Sequence, residues 1–221
     1  MIKLPDPEKA WEFENSFYLT CDKTRLSKVM AHHELYRSIV NKGLVGEVVE
    51  CGVFKGVSLV RFAMFRDLLE TTYSRSIIGF DTFGRFPETA YQDDVKLREN
   101  FIIAAGEQSI SEEQLRQVLE RKGLNQNIEL IVGDIRQTVP EYVRNNSALK
   151  IALLNLDTDI YEPAVAILEQ FWSRIVPGGI LILDDYSKFP GETKAVDDFF
   201  KGQDVKIRKF NYAMTPCYVV K

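Results

Sequence analysis

Five short apolar runs, separated by stretches of helical spacing, constrain the fold of this chain more than any other feature. They are VGEVVE (45–50), RSIIGFD (75–81), NIELIVGD (127–134), KIALLNLD (150–157) and GGILILDD (178–185). Runs so short and so nearly continuous in apolar residues read as strands buried on both faces. Between them lie helical patterns: VSLVRFAMFRDLLE (57–70), SEEQLRQVLERKG (111–123), and a segment from Glu162 to Ile175. The second opens on a Ser-x-x-Gln capping signal and closes on Gly123, and Pro163 suits the first turn of the third. Strand and helix in alternation imply a mostly parallel α/β sheet with helices on both faces. Two short strands near 204–210 and 216–220 would close it as an antiparallel hairpin at the sheet edge.

The 221 residues suit a single domain over 1–221. Residues 1–44 are expected to form a helical cap, a lid or an oligomerisation segment. Residues 84–110 carry no clear pattern. With a net charge of −4, the sequence has no basic excess of the kind nucleic-acid binding requires. Lys206, Arg208 and Lys209 read as one solvated strand face. No apolar run reaches the roughly 18 residues of a membrane helix, and MIKLPDPEKAWEFEN is too polar and acidic for a signal peptide. Cys21, Cys51 and Cys217 are odd in number and widely spaced. They are read as reduced thiols of a cytoplasmic protein.

The runs end on Glu50, Asp81, Asp134, Asp157 and Asp184, the last followed by Asp185. In open α/β sheets ligands sit at the carboxyl ends of the strands. A row of acids there suits a ligand rich in hydroxyls and amines. After the first run, Gly52 and Gly56 flank a turn into a helix, where a backbone can approach a ligand and an anionic group is favoured. The spacing is Gly-x-x-x-Gly, not the Gly-x-Gly-x-x-Gly of dinucleotide sites. Asp81 stands where ribose hydroxyls are gripped, and Asp134 could accept from an adenine amine. Together these fit S-adenosylmethionine, a nucleoside with a short carboxylated tail. Asp157, Asp184 and Asp185 would meet at two neighbouring strand ends. Their mutual repulsion calls for a cation, and an all-oxygen set suits Mg²⁺. The alternative is that Asp185 caps a turn and Asp157 caps the Pro163 helix.

At these residues the sequence resembles the macrocin O-methyltransferase family of metal-dependent class I methyltransferases. The matching segments are VVECGVFKGVS, IIGFDTFGRFPE, IELIVGDIRQTVP, LNLDTDIYEPAVAILEQFWSRIVPGGILILDDY and KAVDDFF. The resemblance implies a Rossmann-like seven-stranded sheet and transfer of a methyl group to a hydroxyl of a sugar or other small natural product. It places Glu50, Gly52, Gly56 and Ser58 at the methionine moiety, Asp81 at the ribose and Asp134 near the adenine. It makes Asp157, Asp184 and Asp185 the metal ligands. It further implies a homo-oligomer whose N-terminal segment shapes the substrate site. Catechol methyltransferases carry a lysine three residues after the first metal aspartate, where this chain has Ile160. The catalytic base is therefore open among Asp159, His32 and His33, or is dispensable beside a metal. Tyr161 and Tyr186 either line the pocket or pack. Two other readings stay on the table: a nicotinamide-dependent oxidoreductase and a non-catalytic methyltransferase-like binding domain.

Overall fold

The computed structural model describes residues 1–221. Two helices lead, α1 (Ala10–Thr20) and α2 (Lys23–Asn41). Strand and helix then alternate through β1 (Glu47–Cys51), α3 (Val57–Leu69), β2 (Ile77–Asp81), α4 (Gln92–Ala105), α5 (Glu112–Arg121) and β3 (Ile128–Val132). The second half holds α6 (Ile135–Asn145), β4 (Ile151–Leu156), α7 (Tyr161–Phe171), β5 (Ile175–Leu183), α8 (Pro190–Phe200), β6 (Arg208–Lys209) and β7 (Cys217–Val220). The seven strands form one sheet in the order β3-β2-β1-β4-β5-β7-β6. The first five are parallel, and β7 runs antiparallel to β5 and β6. The expected closing hairpin is present, but its first strand is only two residues long.

Side-chain alternation divides the core. Along β5, Leu181 and Leu183 face α6, α7 and α8, where they pack with residues such as Val139, Ile167 and Val196. Ile180 and Ile182 face α2, α3 and α5 and pack with Leu35, Phe62 and Leu115. This period of two is what a doubly covered strand imposes. Ser111 and Gln114 form the expected capping box at α5.

Three expectations need correction. The third run does not end on its acid: β3 stops at Val132, and Asp134 instead caps α6. Residues 84–110 contain α4, whose sole buried residue is Asp94, so it carries no apolar stripe to read. The N-terminal segment is not uniform. Helix α2 buries Leu35, Tyr36 and Ile39 and is part of the core, whereas α1 buries nothing.

Candidate active site

A cavity of about 500 Å³ opens at the carboxyl ends of β1, β2, β4 and β5. Its floor on one side is the turn after β1. Gly52 adopts φ 94°, and a Cβ there would lie 1.6 Å from the Asp157 carbonyl oxygen. Only glycine lets the turn pass so close to the end of β4. Gly56, at φ 80°, is the N-cap of α3 and packs towards Leu115 rather than lining the cavity. Asp81 holds the turn in place. Its Oδ2 accepts from the N–H of Val53 and Phe54 at 2.9 and 3.0 Å, and its Oδ1 accepts from the N–H of Phe83 at 2.7 Å. The Thr82 hydroxyl lies within 3.4 Å of the same Oδ1, so most of the carboxylate's accepting capacity already serves this turn.

Glu50 is completely buried behind the turn and does not line the cavity. It accepts the Ser58 hydroxyl on one oxygen, while its other oxygen has no partner. Burial pushes its carboxyl up to about 8, although the Ser58 bond pulls the other way. Ser58 does reach the cavity. Asp134 also lines it, capping α6 through the Arg136 N–H and pairing with the Arg136 guanidinium at 2.5 Å. The Arg136 bonds hold the Asp134 carboxyl below its ordinary range.

The opposite side is the carboxylate rim. Asp157 and Asp184 follow adjacent parallel strands, and the backbone fixes their level: the Asp157 N–H donates to Cys51 O, and the Asp184 N–H to Leu156 O. One oxygen from each of Asp157, Asp184 and Asp185 can be chosen so that all three lie within 4.8 Å of one another. Buried Asp184 Oδ1 and Thr158 Oγ1 lack hydrogen-bond partners. Three converging carboxylates fit a hard divalent cation such as Mg²⁺, which takes oxygen ligands. Asp159 sits beside them at φ 62°, and burial pushes its carboxyl up to about 8. Fully buried Glu192, from the first turn of α8, accepts the Asp185 N–H at 3.0 Å.

Two cationic or polar side chains of α2, one turn apart, meet this rim. Lys28 donates to Asp184 Oδ2 and lies 3.9 Å from Asp157 Oδ2. His32 is fully enclosed, stacked on Phe62, with Nε2 3.5 Å from Asp184 Oδ1. Arg61 Nη1 is 3.0 Å from His32 Nδ1. A guanidinium only donates, so Nδ1 must accept and Nε2 must carry the hydrogen. Burial keeps His32 neutral by lowering its pKa. His32 therefore presents an N–H to Asp184 and has no free lone pair for a substrate proton. Burial would raise the Asp184 carboxyl, but the charge of Lys28 and the nearby His32 N–H outweigh it and hold Asp184 ionised. Burial and the charge of Asp184 push Asp157 up; burial and the charges of Asp159 and Asp184 do the same to Asp185.

His33 points elsewhere, its ring edge-on to Phe65, and does not line the cavity. Tyr161 and Tyr186 pack, with their hydroxyls on Asp198 and Asp197. Sequence reading missed Lys28, Arg61 and Glu192, and also an aromatic wall of Phe54, Phe86, Phe101 and Phe189. The only available signal was the four-residue spacing of Lys28 and His32 on one helix. It also missed buried Asp94, which accepts the N–H groups of Tyr161 and Gly191 at 3.0 and 2.8 Å and so ties α4 to the starts of α7 and α8.

This sheet order, with a glycine turn and an acidic rim at the strand ends, defines a class I methyltransferase fold. The chain belongs to the macrocin-O-methyltransferase (TylF) family, whose profile matches residues 16–215. It is 29% identical over 157 residues to the 8-demethyl-8-(2,3-dimethoxy-alpha-L-rhamnosyl)-tetracenomycin-C 4'-O-methyltransferase of Streptomyces olivaceus, covering 68% of this chain and 56% of the relative. It is 26% identical over 170 residues to the demethyldecarbamoylnovobiocin O-methyltransferase of Streptomyces niveus, covering 73% and 60%. The chain thus spans under two thirds of the length of either relative. Among solved structures, CalS11, a calicheamicin methyltransferase, superposes with a TM-score of 0.76 at 28% identity, over 97% of this chain and 86% of that one. The O-methyltransferase NovP gives 0.73 at 20% identity, over 87% and 78%, which is a likeness of fold.

Proposed function

We propose that this chain is an S-adenosylmethionine- and Mg²⁺-dependent O-methyltransferase acting on a hydroxyl of a sugar or sugar-bearing natural product. The observation that carries this reading is the convergence of Asp157, Asp184 and Asp185 within 4.8 Å on the wall of a cavity that the glycine turn also lines. Membership of the family and the printed activities of the tetracenomycin and novobiocin relatives support the acceptor class. A further CalS11 structure, at TM-score 0.68 and 26% identity, is described as a TDP-rhamnose 3'-O-methyltransferase, so a nucleotide-linked sugar belongs in the acceptor panel.

In this reading S-adenosylmethionine supplies the methyl group, and a divalent ion supplies Lewis acidity that lowers the pKa of the acceptor hydroxyl. The residues do the remainder. The turn at Gly52 and Ser58 holds the methionine end, Asp81 lies at the ribose, and Asp134 lies at the adenine side. Asp157, Asp184 and Asp185 would hold the ion, with His32 and Glu192 fixing the orientation of Asp184 and Asp185. Asp159 is the proton acceptor in this reading, because it lines the cavity beside the three rim aspartates. His32 is a positioning residue. The aromatic wall packs against the acceptor and excludes water.

The chain acts as a homo-oligomer in this proposal. Helix α1 buries nothing and exposes Trp11 and Leu19 at 77% and 85%, while Phe17 reaches the cavity, so a second copy would cover α1. Light scattering after size exclusion tests this, and a monomer rules it out. The activity is tested by mass spectrometry with S-adenosylmethionine and a panel of glycosides and nucleotide-linked sugars, with Mg²⁺ or EDTA. Mg²⁺-dependent gain of a methyl group is expected. Turnover that persists in EDTA would overturn the metal mechanism, and cofactor binding without any methyl transfer would favour a binding domain.

A further inference from the structure

The metal reading leaves Lys28 without a role, yet its ammonium stands among the same carboxylates. It donates to Asp184 Oδ2 and lies 3.9 Å from Asp157 Oδ2. The other Asp184 oxygen is enclosed and faces His32 Nε2 at 3.5 Å. The accessible oxygen that Asp184 can offer a divalent ion is therefore the one Lys28 occupies. The side chain is three-quarters covered and comes from a helix whose middle is rooted in the core by Leu35, Tyr36 and Ile39. It is not a loose surface lysine that happens to lean inwards.

An ion bound to that oxygen at roughly 2.0–2.1 Å would place two cations on one carboxylate oxygen, so the ammonium would stand only a few ångströms from a divalent charge. The two cations would repel strongly in a partly enclosed site. Without a cation, in turn, the three aspartates would repel one another. We propose that Lys28 and the divalent ion are alternative occupants of the aspartate cluster: the ammonium neutralises the rim in the metal-free chain, and metal binding displaces it into the cavity. This inference rests on the metal reading above. It goes further by making α2 a participant in metal binding, and by giving the rim a counterion of its own.

The test uses the full chain, stripped with EDTA and free of cofactor, and titrates Mg²⁺ by calorimetry into wild type and Lys28→Met. Removing the competitor should tighten Mg²⁺ binding about tenfold or more, the scale of one charge-assisted hydrogen bond. The metal-free variant should melt below wild type, and saturating Mg²⁺ should close most of that gap. Lys28→Gln, which keeps polarity without charge, takes the place of Lys28→Met if the latter does not fold. Equal or weaker Mg²⁺ binding in the variant overturns the competition while leaving the metal reading intact. Absence of Mg²⁺ binding in wild type and both variants overturns the metal reading and the competition together.

Discussion

The two sides of the cavity are built on opposite principles. On the glycine-turn side the charges are already satisfied by the protein. Asp81 accepts three backbone N–H groups, and Asp134 caps a helix and pairs with Arg136. On the rim, Asp157, Asp184 and Asp185 crowd together, with Lys28 of α2 in direct contact to offset them. The first side is preorganised by backbone geometry and is complete without a ligand. The second is electrostatically frustrated and gains from a cation. Damage to one should therefore appear as lost stability, and damage to the other as lost chemistry.

The largest expected effect falls on the turn. Gly52→Ala would drive a Cβ into the Asp157 carbonyl at a positive φ, and urea unfolding should show a loss of about 4 kcal/mol or more. A loss under about 1 kcal/mol would mean that the turn is not rigid. The rim should respond in the reverse manner. Asp185→Asn should lower turnover more than about 100-fold, beyond the usual cost of losing an outer-shell partner. It should leave the metal-free chain at least as stable as wild type, because one repelling charge is gone. A clear fall in its melting temperature would erase the contrast between the two sides.

His32→Gln should reduce kcat/KM by about tenfold and leave the pH at which activity rises unchanged, since a positioning residue does not carry the proton. A displaced pH profile would return His32 to the list of bases. A subtler effect concerns Glu50. Its folded-state carboxyl titrates at about 8, above its ordinary value. Between those two pH values the folded chain binds a proton that the unfolded chain lacks, so stability should fall as pH rises through this window. Glu50→Gln should flatten part of that slope in melts from pH 5 to 8.5. The smallest effect is expected at Trp11. Trp11→Ser should change the unfolding free energy of one chain by less than about 0.5 kcal/mol while weakening self-association in light scattering.

The same contrast explains how much could be read in advance. Strands β1, β2, β4 and β5 were legible because burial on both faces writes itself as continuous apolar runs, and α5 because its cap is local; edge strand β3 buries only Leu130, contrary to the expectation of burial on both faces. The three rim aspartates were legible because they lie next to those strands. Residues that act across long separations were not. Lys28 meets Asp184 from 156 positions away, and nothing local in LSKVMAHH signals that contact. Helix α4 escaped notice because the one residue it buries is an aspartate, the inverse of an amphipathic stripe. Asp81 was read as a ligand group, but most of its hydrogen-bonding capacity serves the turn, a use that sequence spacing does not distinguish.

Asp94 carries a consequence for how the rim tolerates its charge. By joining the first N–H groups of α7 and α8, it brings the positive ends of two helices together beside Asp157, Asp159 and Asp185. Those partial charges are part of the backbone, so no chelator can remove them and no titration can discharge them. The acidic rim thus abuts two permanent helix dipoles, and the divalent ion proposed for it would come and go without taking the fold along.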